Sequence, residues 1–147
     1  MLGLRLADLS DLERIITVNA SMALVESGIN PLQHDPNGFR NRAARRIEQK
    51  RIWVWTQDSR LMFKADVISE TPDIAYLEGI YVPPEERRKG HGSRCLSKLS
   101  SLLLAQKKSI CLTANDRDQI AESCYTKVGF EFRSHYETIY LRQESQV

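Results

Sequence analysis

Apolar positions along this chain recur in two periods, and the switches between them predict the elements. Leu2 to Leu6 alternates apolar residues with glycine and arginine, as a first strand would. Ser10-Asp11-Leu12-Glu13 reads as a capping box opening a helix whose apolar face is Leu12, Ile15, Ile16, Ala20, Ala23 and Leu24, stopped by Gly28. Prolines and glycines between Ser27 and Gly38 predict a loop. Asp35-Pro36 starts a second helix with Phe39, Ala43 and Ile47 at i, i+4, i+8. Ile52 to Trp55 and Leu61 to Ile68 predict a hairpin turning near Asp58-Ser59, and Thr71-Pro72-Asp73 turns the chain into a further strand. A helix with Leu96, Leu99, Leu102 and Leu103 follows, then a strand over Ile110 to Ala114. The right-handed crossover rule sets that strand parallel to the one before the helix. Another helix ends at Gly129, and Phe130, Phe132, Tyr136, Ile139 and Leu141 predict a final strand pair.

The stretch Ala75 to Ser93 stands at the centre of this order. Tyr76, Ile80, Tyr81 and Val82 suit a buried strand, and Pro83-Pro84 ends it because neither proline can donate to a ladder. Arg87-Arg88-Lys89-Gly90-His91-Gly92-Ser93 then runs into the leucine-faced helix. Strand, basic glycine loop and helix start make an anion site, with free backbone N–H groups and positive charge together. Two other phosphate loops are excluded. No Lys-Ser or Lys-Thr pair follows the last glycine, and Cys95 holds the place of a third dinucleotide-loop glycine.

Composition narrows the class. The 147 residues suit one compact domain, here spanning the whole chain, and 41% hydrophobic residues are ordinary for a soluble protein. No apolar run is long enough to cross a bilayer, and MLGLRLADLSD lacks the positive-then-apolar order of a secretory leader. Three cysteines, Cys95, Cys111 and Cys124, have no metal-ligand spacing, so no metal is expected and a reducing, cytoplasmic setting is. Six basic residues from Arg40 to Arg51 face the single acid Glu48, but no aromatics interleave with them. A solvated helix face is therefore expected rather than a nucleic-acid surface.

Arg87-x-x-Gly90-x-Gly92 after a strand ending in Val82-Pro83 resembles the acetyl-coenzyme A signature of the GNAT N-acetyltransferase superfamily. A second segment is similar to another pattern of that family: Asn115, then Ala121, Tyr125, Gly129 and Phe130. The resemblance implies an α/β (α+β) fold with a mixed, mostly antiparallel sheet of six to seven strands flanked by about four helices. It also implies acetyl-coenzyme A as cosubstrate and a primary amine as acceptor, reacting directly in a ternary complex. Backbone groups of Ile80, Tyr81 and Val82 would grip the pantetheine arm, with an amide near Ile80 polarising the thioester carbonyl. The loop of Arg87, Arg88, Lys89, Gly90, His91, Gly92 and Ser93 would hold the pyrophosphate, and Asn115 the pantetheine. Asp118 stands seven residues before the tyrosine, where the family commonly has asparagine.

By the same resemblance Tyr125 is the general acid, since a phenol is protonated at neutral pH and can donate to a thiolate. Glu78, a carboxylate in an otherwise apolar strand, is the candidate base, directly or through water. Glu26 to Pro31 and Phe63-Lys64-Ala65-Asp66 resemble a subgroup in which this module is the C-terminal half of a longer protein. There Glu26 and Asp66 would face the acceptor or lie at the surface. His91 is expected to contribute its amide rather than its ring, and Cys124 to serve packing. A non-catalytic acyl-coenzyme A sensor is the alternative from another class; it would need the loop but neither Tyr125 nor Glu78. The acceptor, and the choice between monomer and homodimer, stay open.

Overall fold

The computed structural model describes residues 3–115, 117–139 and 141. A five-stranded sheet has its strands in chain order: β1 (Arg5–Leu6), β2 (Ile52–Gln57), β3 (Arg60–Glu70), β4 (Ile74–Tyr81) and β5 (Ser109–Leu112). The first four run antiparallel, and β5 joins β4 in parallel after a helical crossover, as expected. Asp58 and Ser59 turn the β2–β3 hairpin with φ of 50° and 61°, a primed turn whose twist matches the strands.

Helices cover both faces. α1 (Leu12–Ser27), α2 (Pro31–His34) and α3 (Pro36–Glu48) lie on one side, with Ile15, Val18 and Ile47 packed on Ile52 and Val54. α4 (His91–Leu104) and α5 (Gln119–Val128) lie on the other, where Cys95, Leu96 and Leu99 bury Phe63, Ala65, Ala75 and Leu77. Gly28 and Gly129 end α1 and α5 in the left-handed region, as predicted.

Several expectations are corrected. The capping box is built by Asp8 and Asp11, two residues before the predicted Ser10: Asp8 accepts from Ser10 N, and Asp11 reaches back to Asp8 N at 2.9 Å. Asp11 wins because its carboxylate is also wanted by Arg5 and Arg14, at 2.8 and 3.0 Å. The loop expected before Gly38 contains the one-turn helix α2, which Asn30 caps through Leu32 N. Leu102 is exposed, and buried Cys95 completes the α4 face beside Leu96, Leu99 and half-buried Leu103.

Among the described residues the sheet has five strands rather than six or seven. Among the described residues beyond α5 the final strand pair does not form. Phe130 packs into the core and its N–H is taken by Tyr125 O, whereas Phe132, Tyr136, Ile139 and Leu141 are exposed. Their alternation has the period of a strand, but a strand also needs a neighbour to satisfy its ladder.

Candidate active site

β4 carries the feature that makes a site. Its parallel ladder with β5 ends at Leu77–Leu112, while β4 itself runs on to Tyr81. Beyond that pair, Glu78 to Tyr81 have no strand beside them on the β5 side among the described residues. On the other side, Asp66 opposes Glu78 and Lys64 opposes Tyr81, so Gly79 and Ile80 together face Ala65 alone. This is a β-bulge, and Gly79 adopts φ 63°, a conformation that disfavours any residue with a Cβ. The extra residue changes the phase of the strand. Ala75 and Leu77 point to the α4 face, and after the bulge so do Ile80 and Val82. Tyr81 packs on the α1 side. Without the bulge, Ile80 would share the face of Glu78.

The strand then delivers the basic loop. Arg87 Nε donates to Val82 O at 2.9 Å, and its guanidinium lies 5.9 Å from the centre of the Tyr81 ring. Lys89 pairs with Glu86 at 3.0 Å. Gly90, at φ 83°, caps α4 with its backbone alone, so no side chain occupies the first N–H groups of the helix. Arg94 reaches back over the loop, its Nη1 donating to Lys89 O at 3.3 Å.

The His91 ring is held by neighbouring side chains. Arg94 Nη2 lies 2.7 Å from Nδ1; a guanidinium only donates, so Nδ1 accepts and the ring proton sits on Nε2, 3.5 Å from Glu86 Oε2. Trp55 meets the same ring edge-on at 5.1 Å. A groove of about 530 Å³ continues from Gly90 between α4 and α5, lined by Ser93, Arg94, Ser97, Lys98 and Lys127.

α5 leans on this loop. Cys124 Sγ is 3.5 Å from Ser93 Oγ, a hydrogen bond at the foot of α4 in which either group can donate. Tyr125 is half-buried against the α4-face core and edge-on to Phe130 at 6.3 Å. Burial, with smaller contributions from Cys124 and Asp118, pushes its phenol up to about 12. The Asp118 carboxylate caps α5 by accepting from Ala121 N at 3.0 Å. Asn115 lies just past the end of β5, exposed, and its side chain accepts from Arg117 N at 3.0 Å.

The opposite face of β4 is polar. Tyr76 donates to Glu78 Oε1 at 2.7 Å and lies 3.1 Å from Thr113 Oγ1. Burial first, and then its bond to Glu78, push the Tyr76 phenol up to about 12 despite the opposing bond to Thr113, so it stays a donor. Lys64 and Asp66 stand opposite Val54 and Ile52 and share their face. Both are buried, Nζ to Oδ1 measuring 2.8 Å, and Arg46 of α3 approaches the other Asp66 oxygen at 3.7 Å. Asp66 is thus enclosed rather than at the surface, while Glu26 is exposed on α1. Two further arginines of the basic helix face carboxylates: Arg40 pairs with Glu13, and Arg42 lies 3.7 Å from Asp35.

The loop residues, Ile80, Val82 and Tyr125 therefore gather on the α4–α5 side of the β4–β5 opening, with Glu78 and Tyr81 on the other side. Sequence reasoning missed the Gly79 bulge, the buried Lys64, Arg94 and the Tyr76–Thr113 support of Glu78. The bulge did leave a trace: the apolar phase slips by one between Leu77 and Ile80, across a glycine.

Among the described residues no group of three or more His, Cys, Asp or Glu could hold a metal, and no helix is long and apolar enough to cross a membrane. No curated protein sequence matches the chain. Solved structures share the fold. A probable acetyltransferase superposes with a TM-score of 0.78 at 15% identity, over 99% of this chain and 100% of its own. A predicted acetyltransferase from Clostridium acetobutylicum, solved with acetyl-CoA, gives 0.70 at 18% identity, over 95% and 96%. AAC(6')-Iy, in complex with a bisubstrate analog, gives 0.67 at 13%, over 99% of both chains. The family described as FR47-like protein matches residues 62–139, from β3 through the loop and α5, more than half of the chain. A bulged β4, the glycine loop and the Tyr125 helix all fall inside that match, and the chain belongs to the FR47-like family of the GNAT superfamily.

Proposed function

We propose that this chain is an acetyl-coenzyme A-dependent N-acetyltransferase that passes the acetyl group directly to a primary amine. The observation that carries it is the opening of the β4–β5 ladder beside Glu78 to Tyr81, leading into an α4 N-terminus that no side chain caps. The pantetheine arm fills the opening as an added strand would, bonding to backbone groups of Ile80, Tyr81 and Val82. The pyrophosphate takes the amides from Arg88 to Ser93, where the helix dipole and the loop cations favour negative charge. The α4–α5 groove, with Arg94, Lys98 and Lys127 on its walls, receives the phosphorylated nucleoside end. Asn115 meets the pantetheine, and Asp118 supports that contact from the start of α5.

Chemistry then occurs where the two faces of β4 meet. The amine enters from the Glu78 side and attacks the thioester carbon. The carbonyl oxygen gains charge against the amide near Ile80. The amine proton leaves through Glu78, directly or by way of water, with Tyr76 holding the carboxylate in place. The C–S bond breaks as Tyr125 donates its phenolic proton to the departing thiolate. With a phenol at about 12, Tyr125 carries that proton throughout the physiological range.

Calorimetric titration with acetyl-coenzyme A tests the binding half: saturable binding is expected for the wild type and none for Gly90→Asp, which sets a carboxylate among the phosphate-facing amides. Tyr125→Phe tests the chemical half. Cofactor affinity should hold while transfer to an amine found by library screening falls about 100-fold or more. Unchanged transfer would remove Tyr125 from the mechanism.

A further inference from the structure

The Lys64–Asp66 pair sits in a place that packing does not explain. Both residues are in the middle of β3 and are buried, Lys64 completely, where apolar side chains would do. A buried ion pair is a weak source of stability, because the desolvation of two charges offsets their attraction, and apolar replacements of similar volume are often as stable or more so. Its position relative to the bulge is specific. Asp66 opposes the residue before the bulge and Lys64 opposes the residue after it, so the two charges bracket the single β3 residue that faces Gly79 and Ile80. They also occupy the space that Gly79 leaves empty. A Cβ at Gly79 would lie 2.7 Å from Lys64 Nζ and 3.0 Å from Asp66 Oδ2.

Among the described residues, the hydrogen bond that Lys64 makes is to Asp66, which uses one of three ammonium donors. Arg46 adds a second cation on the far side of the carboxylate. Lys64 and Asp66 thus balance each other's charge out of water, Arg46 stands half in water at the edge of the pair, and Glu78 opposes Asp66 on the neighbouring strand.

We propose that Lys64 and Asp66 are positioning residues that fix the Gly79 bulge, so that the amide near Ile80 is held ready to polarise the thioester carbonyl. This rests on acetyl-coenzyme A lying along β4. The pair touches neither cofactor nor acceptor; it acts through the backbone of the neighbouring strand. Glu78 and the bulge are therefore set by one device: the ion pair fixes the strand phase that sends the Glu78 side chain to one face and that of Ile80 to the other.

The test uses the double variant Lys64→Met/Asp66→Leu, which removes both charges and keeps the volume, and the single variant Gly79→Ala, which drives a methyl group into the ion pair. Circular dichroism and thermal melting report the fold, calorimetry the affinity for acetyl-coenzyme A and for free coenzyme A. The infrared band of acetyl-coenzyme A labelled with ¹³C at the acetyl carbonyl reports polarisation in the bound complex. In the wild type the bound band is expected below its position in free acetyl-coenzyme A. In both variants it should return to the free position, with coenzyme A affinity changed less than about threefold, and transfer to a screened amine should drop about 100-fold through kcat rather than KM. A band that stays at the wild-type position in either folded variant overturns the proposal. If the double variant fails to fold, Gly79→Ala decides alone, because it keeps both charges but displaces Lys64 Nζ and Asp66 Oδ2 from the space beneath the bulge. Wild-type protein that does not bind acetyl-coenzyme A at all would instead overturn the proposed function, and this inference with it.

Discussion

Asp11 and Asp66 are both buried, and each stands between two cations, yet the surroundings differ. The cations of Asp11 are partly in water: the side chains of Arg5 and Arg14 are 41% and 34% exposed, and Arg5 binds both carboxylate oxygens, at 2.8 and 3.0 Å. A backbone amide, Asp8 N, adds a third donor. Asp66 has Arg46 half in water as well, but its close partner Lys64 is only 1% exposed. The first arrangement ties β1 to the start of α1 at little desolvation cost, since only one of the charges is taken fully out of water. The second takes two charges out of water beneath a distorted strand. A pair buried on both sides adds little stability over apolar residues of the same volume, which accords with the positioning role proposed for it.

Removing one partner should break this comparison most sharply at Lys64. Lys64→Met leaves Asp66 buried with Arg46 alone and should cost about 3–5 kcal/mol in denaturant unfolding, whereas Lys64→Met/Asp66→Leu should recover most of it. A double variant as unstable as the single one would make the pair structural, like Asp11. At the other site the signature is acid sensitivity. Burial alone would raise the Asp11 carboxyl, but hydrogen bonds from Arg5, Asp8 N and Arg14 hold it at about 2, below the usual carboxylate range. A carboxyl depressed by folding contributes stability above its unfolded pKa, and that stability is lost as pH falls through the folded value. Asp11 should therefore contribute about 2 kcal/mol at neutral pH, fading between about pH 4 and 2. Asp11→Asn should remove both the stability and that part of its pH dependence, read from unfolding free energies across the acid range. Arg46→Ala, deleting a half-exposed cation at 3.7 Å, should cost about 0.5 kcal/mol or less. A loss much larger than this would mean that α3 helps to hold the bulge.

Much of this was legible in the sequence, for identifiable reasons. Pro83-Pro84 had to end β4, Gly90 had to open a helix, and Gly129 had to close one, because each residue restricts the backbone in its own way. Arg87, Gly90, Gly92 and Tyr125 could be found because their spacing is fixed by local structure. Lys64 could not, since a lysine in a strand reads as a solvent-facing position and its burial depends on α1 and α3 folding over it. The bulge was half visible, as a slip of apolar phase at Gly79 that a run of apolar residues conceals. The error beyond Phe130 has the opposite cause. Phe130 and Phe132, and again Ile139 and Leu141, stand two apart as strand residues do, but alternation specifies which way side chains point and not whether a partner strand is present.

The single parallel pairing in the sheet also bears on how the molecule assembles. β2, β3 and β4 pair with chain neighbours through short turns, contacts that close small loops and form early. β5 reaches β4 only after the loop and all of α4 have been placed, and it meets it over just Ile74 to Leu77. The proposed binding cleft thus lies on the seam between the antiparallel meander and the crossover unit. Amides of β5 should be among the first in the sheet to exchange with solvent. A ligand lying along β4 and anchored on α4 would bridge that seam, making occupancy a large share of what keeps the two parts together.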